Sequence, residues 1–230
     1  MTIKKIMALI ALCALTAAGC ADKSKKRDLD LGMTLVNRTV DYLLKGKEKM
    51  ASYSYIRTIS KFRDMGDFCN MARTAIIIVT LDPEGSLPLI EDARAFAALG
   101  NCAEETNIIM FLSKNEYDGN KLPNPYKALA AFEKTGKINV LTSLAASRNI
   151  SDRNRSMLLR TAAYAIAEEN PSKAYKLAEE ASVIDSEYAW TLNLVKNEEI
   201  KLKAAEALGK PADTIRQRIR ILEQSLDEKY

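Results

Sequence analysis

Apolar positions recur along most of this chain at helical spacing, and the stretches they define are cut at nearly even intervals. Between residues 29 and 44 the stripe is Leu31, Leu35, Val36, Val40, Leu43 and Leu44, which predicts one amphipathic helix closed by Lys45-Gly46-Lys47. A large apolar residue followed four positions later by a turn-tolerant one then repeats: Phe62 and Gly66, Phe96 and Gly100, Phe132 and Gly136, and more weakly Ile166 and Asn170. The steps between copies are 34, 36 and 34 residues. Each copy describes a buried helix end stopped by left-handed backbone, for which glycine has no steric penalty. A period of this size predicts an all-α, right-handed solenoid of stacked helix-turn-helix units. An irregular helical bundle with evenly spaced turns is the rival architecture.

The units divide as follows. The first spans the Phe62-Gly66 turn and ends at Leu81-Asp82-Pro83, and the second runs from Ser86 to about Tyr117 with its turn at Gly100-Asn101. Asp118-Gly119-Asn120 and Pro123-Asn124-Pro125 break the chain before the third unit, residues 125 to about 149. Ser151-Asp152 caps the fourth, which reaches Ile184-Asp185-Ser186 and carries Ala174 and Ala181 seven residues apart in its second helix. A last pair, residues 188–208 and 212 to the end, is joined by Gly209-Lys210-Pro211 and presents Arg216, Arg218, Arg220 and Glu223 as a water-facing cap.

From Ser52 onward the chain resembles a tetratricopeptide repeat (TPR). Gly66-Asp67-Phe68 through Leu81-Asp82-Pro83 has that family's turn, second helix and ending, and Tyr55, Ile59, Phe62 and Phe68 stand at or near its packing positions. Met71 and Ile78 depart from it, since the family favours Ala there. The resemblance implies a TPR-like domain over residues 29–230, with capping helices at both ends. It also implies a concave groove lined by the first helix of each unit. Carried over, that lining is Tyr53, Ile56 and Arg63, then Ile90 and Arg94, then Tyr126 and Glu133, then Arg160 and Tyr164. Tyr and Arg anchor interfaces well because they bury large area while making directed hydrogen bonds.

The N-terminus reads as an address. Lys4 and Lys5 precede a short apolar run, Ile6 to Leu15, and Ala17-Ala18-Gly19-Cys20 follows. This resembles the lipobox of bacterial lipoproteins, with Ala17 where the family usually has Leu. The resemblance implies a signal over residues 1–19, lipidation of Cys20 (palmitate among the acyl chains) and, because Ala21 follows rather than Asp, an outer-membrane lipoprotein facing the periplasm. Residues 20–28 then serve as lipidated cysteine and polar tether.

Composition removes several chemistries. There is no histidine, so Ser-His-Asp or Cys-His catalysis and His-ligated metals are excluded. None of the four cysteines forms a C-x-x-C pair, and no metal or cofactor site is expected. Without Lys4 and Lys5, 32 basic residues face 30 acidic ones, a balance that argues against nucleic-acid binding. Cys69 and Cys102 begin the second helices of adjacent units, and either a disulfide or two buried thiols fits them. The acidic pairs Glu104-Glu105, Glu168-Glu169, Glu179-Glu180 and Glu198-Glu199 are expected on solvated exteriors.

These features point to a non-enzymatic, lipid-anchored envelope scaffold that captures a protein partner, in the assembly of an envelope, pilus or secretion complex. The alternative is a periplasm-facing enzyme or small-ligand-binding protein with carboxylates and tyrosines in its helical core.

Overall fold

A computed structural model describes residues 26–82 and 90–227. Cys20, the expected signal and the tether up to residue 25 lie outside the described residues, as does the 83–89 connection that carries Pro83 and Ser86. Eleven α-helices and no strand are found among the described residues. They are α1 (26–44), α2 (Glu48–Asp64), α3 (Phe68–Leu81), α4 (Ile90–Gly100), α5 (Ala103–Leu112), α6 (Tyr126–Thr135), α7 (Asn139–Ala145), α8 (Asp152–Ala165), α9 (Pro171–Glu187), α10 (Thr191–Ala207) and α11 (Asp213–Asp227). The fold is all-α, and no described helix is long and apolar enough to cross a membrane. Helix α1 already includes residues 26–28, and Asp28 pairs with Lys61 at 2.8 Å, so the last three residues of the expected tether belong to the helical domain.

Helix ends follow local chemistry. Gly66 and Gly136 adopt left-handed backbone (φ +67° and +66°) and stop α2 and α6. Asp67, Ser151 and Asn170 accept backbone N–H bonds as N-caps of α3, α8 and α9. Two copies of the turn rhythm differ from expectation. Gly100 is still helical, and the left-handed residue is Asn101 (φ +51°). Glycine is needed at 100 for space instead, since a Cβ there would sit 2.5 Å from the Cys102 sulfur and 3.0 Å from the Phe68 Cβ. Asn170 caps the following helix rather than ending the preceding one.

The core is built from close helix contacts. On α1 the buried face is Leu35, Val36, Val40, Leu43 and Leu44, while Leu31 is exposed. Gly32 lets α1 settle on the Phe62 ring of α2, which an added Cβ would meet at 2.5 Å. Between α8, α9 and α10, fully buried Ala162, Ala163, Ala174, Ala178, Ala181 and Ala204 replace bulk with proximity around Leu141 and Leu158.

The two ends of the described chain also meet. Trp190, at the start of α10, is buried among Val40, Leu43, Leu44 and Leu81. A Cβ on Gly46, in the α1–α2 turn, would fall 2.1 Å from Leu226 of α11. A linear array contacts only neighbouring units, so these contacts depart from a strictly nearest-neighbour stack.

Candidate functional site

The most unusual chemistry lies where α8, α9 and α10 converge. Asp185 of α9 has no exposed surface. Its Oδ1 accepts from the Ser156 hydroxyl at 2.7 Å and the Asn193 amide at 3.1 Å, and its Oδ2 accepts from the Asn197 amide at 2.7 Å and Arg160 Nη1 at 3.3 Å. Ser156 and Arg160 are one turn apart on α8, as Asn193 and Asn197 are on α10, so two helices each present two donors to one carboxylate. A buried ion is tolerable only when its lone pairs are filled in this way. The side-chain carbonyl oxygens of Asn193 and Asn197 have no partner among the described residues. Burial pulls the Arg160 guanidinium below its ordinary pKa, and Asp185 opposes that effect.

Arg160 also reaches outward. It forms the floor of a cavity of about 440 Å³ between α8 and α10, lined by Arg160, Thr161, Tyr164, Lys196, Glu199, Ile200 and Lys203, with Ala167 from the turn after α8. Tyr164 is 68% exposed at the rim. Lys203 Nζ stands 6.0 Å over that ring and 2.7 Å from Glu168. Desolvation raises the Glu199 pKa, with Glu223 adding to the rise and Lys196 opposing it. Three cations and one carboxylate line the cavity beside its apolar walls, with Arg160 paired to Asp185 and Lys203 to Glu168.

A second cavity of about 400 Å³ lies between α9, α10 and α11, walled by Val183, Leu194, Ile221 and Leu222. Glu198 and Lys201 form a buried ion pair beside it, and Lys201 also bonds Glu179 at 2.7 Å. Glu198 and Glu105 therefore do not sit on solvated exteriors: each is buried against a cation, Glu105 against Arg73. Ile184-Asp185-Ser186 resembles Leu81-Asp82-Pro83 in sequence, but α3 ends at Leu81 whereas α9 does not end at Ile184. Helix α9 continues to Glu187, which carries Asp185 inside.

The expected groove residues fall in different places. Tyr53, Ile56 and Arg63 are exposed on α2, with Arg57 5.8 Å over the Tyr53 ring. Arg94 is exposed on α4 and bonds Ser113 at 3.3 Å, whereas Ile90 packs half-buried on the core of α3 and α5. Glu133 pairs with Lys114. Tyr126 is buried, with its hydroxyl 3.2 Å from that of Thr80, so it is a core residue and offers no surface to a partner. Arg160 and Tyr164 line one cavity together. Their neighbours Lys196, Glu199 and Lys203, and the hub Asp185, were missed from sequence. The one available signal was Asn193 and Asn197, four apart in an otherwise apolar stripe.

Cys69 and Cys102 are joined by a disulfide with a Cα–Cα distance of 5.5 Å. Their sulfurs and a Glu105 oxygen lie within 4.8 Å of one another. Sulfurs bonded to each other are not thiolate ligands, and Arg73 holds the carboxylate, so this group is not a ready metal site. Compared with known proteins, the chain matches no family model, no curated protein and no solved structure.

Proposed function

We propose that this chain is a lipid-anchored adaptor of the bacterial outer membrane, tethered through Cys20, whose TPR-like hairpins hold a protein partner on the periplasmic side. Capture alone is its activity, and no bond in the partner changes. The observation that carries this reading is the α8–α10 cavity, where the first helices of two successive hairpins place exposed Tyr164 beside Arg160, Lys196 and Lys203. Aromatic and guanidinium groups in one partly enclosed cleft are the composition of an interaction hot spot. Further support comes from the sequence, which lacks histidine and ends its apolar leader at Gly19-Cys20.

A photo-crosslinking residue at position 164, in cells, tests the capture. One discrete crosslinked protein in the envelope fraction is expected, and its absence from a variant crosslinked at exposed Tyr53 identifies the surface used. Cys20→Ser should release the chain from membranes, and unchanged fractionation would remove the anchor from this reading.

A small-ligand function has one specific observation in its favour. Tyr164, Thr161 and Glu199 converge on a cavity whose size, about 440 Å³, matches typical ligand pockets. Crosslinking that yields no protein, together with a metabolite retained through purification, would favour it.

A further inference from the structure

We propose that the α8–α10 cavity receives the C-terminal end of a partner polypeptide, with the terminal carboxylate on Arg160 and Lys196 and the last apolar side chain between Tyr164 and Ile200. This rests on the capture reading above and names what is captured.

Four features support it. The first is an unspent donor edge. Arg160 Nη1 makes both of the guanidinium hydrogen bonds found among the described residues, to Ser156 at 3.2 Å and Asp185 at 3.3 Å, and the same side chain lines the cavity. A guanidinium has five N–H donors in a planar fork, and carboxylate is the ligand that fork matches.

The second is charge. Asp185 behind the cavity balances the Arg160 charge through Nη1 while also accepting from Ser156, Asn193 and Asn197, so what the arginine offers a carboxylate is its remaining N–H donors. At the rim, Lys203 is paired with Glu168, whose side chain is 80% exposed. Such pairs contribute little and yield readily to a better-placed carboxylate. Glu199 is the one carboxylate in the lining, and its charged form is disfavoured by desolvation.

The third is the wall. The Tyr164 ring, Ile200 and Ala167 give the cavity an apolar side next to its cationic floor. The fourth is size: about 440 Å³ takes two or three residues, a chain end rather than a whole helix. An internal acidic side chain would have to bring two flanking backbones into the same space.

The test uses the full chain and three probes: N-acetyl-Ala-Leu-Phe as free acid, the same peptide as its C-terminal amide, and 4-phenylbutyrate. Binding is read by saturation-transfer NMR and competition. The free acid should bind at least ~10-fold more tightly than the amide, the usual effect of a lost charge-assisted hydrogen bond. Lys196→Gln and Lys203→Gln should each weaken the acid without changing the amide, and Tyr164→Ala should weaken both. These three positions avoid Arg160, whose removal strands buried Asp185.

Equal binding of acid and amide would overturn the proposal, as would binding untouched by all three variants. Phenylbutyrate binding as tightly as the peptide acid would overturn the peptide end as occupant. The capture reading fails separately. If wild type and Lys196→Gln crosslink the same partner equally, capture stands and this site falls. If no protein is crosslinked while the acid still binds selectively, the site stands and capture falls.

Discussion

Trp190 donates its indole N–H to Asp41 at 3.3 Å across 149 residues, linking the start of α10 to the end of α1. Tyr188 stacks on the same indole with ring centroids 4.5 Å apart, and Leu44 beside it is completely buried. The first helix and the last hairpin are thus held as one body. Contacts of such sequence separation form only when the intervening hairpins are in place, because the loop-closure entropy must be met first.

This relationship sets the first prediction. Trp190→Phe keeps most of the buried area and loses the hydrogen bond, so a cost of about 1 kcal/mol is expected; Trp190→Ala should cost about 3–5 kcal/mol. Trp190 is the only tryptophan, so its emission reports this junction directly. In urea, fluorescence and far-UV circular dichroism should give coincident transitions in the wild type. In Trp190→Ala the dichroism transition should broaden, as the ends uncouple from the middle.

Asp185 provides the second. Asp185→Leu leaves the Arg160 charge buried without its partner and should lower stability by about 3–5 kcal/mol. Adding Arg160→Met removes that stranded charge, so the double variant should be more stable than Asp185→Leu alone. Thermal denaturation of the two singles and the double decides this. Strict additivity would show that the pair is not energetically coupled.

The disulfide provides the third. Cys69 and Cys102 close a loop of 33 residues, for which chain entropy predicts about 3–4 kcal/mol lost on reduction. Gly100→Ala should also destabilise the oxidised protein, because its methyl would lie 2.5 Å from the Cys102 sulfur. That penalty should shrink in a Cys69→Ala, Cys102→Ala background, where the sulfur is gone. Urea midpoints for the four proteins give the comparison.

Glu199 sets the fourth. Its pKa in the folded chain is raised, first by desolvation and then by Glu223. Folding therefore favours the protonated form. The group's contribution to stability is present in full below the ordinary carboxylate pKa and is lost as pH rises through the raised value. Glu199→Gln removes this dependence. The variant should match the wild type in acid and melt at a higher temperature at neutral pH, as scanning calorimetry across that range would show.

Much of the local structure was legible in the residues alone. The stripe of α1, the turns at Gly66 and Gly136, the cap at Ser151, and the hairpin succession follow from interactions within a few positions of each other. So does the spacing that puts Arg160 and Tyr164 on one face of α8. Helix periodicity and capping are short-range effects, and the sequence states them directly.

What it does not state is which of two polar residues on similar helices goes inside. Tyr126 and Tyr164 were both expected in the groove lining, yet the first is buried against Thr80 and the second is exposed above a cavity. Asp82 and Asp185 close similar motifs, yet only Asp185 is ringed by donors from two other helices. Gly100 was needed for the space beside a sulfur, not for a left-handed turn. Burial of a polar group depends on partners supplied by distant segments, and those partners are selected only when the hairpins pack. The sequence by itself determined the helices and many of their ends. Tertiary structure decided which charges are buried, which cysteines are bonded, that α1 meets Trp190, and that α8 and α10 leave a cationic cavity between them.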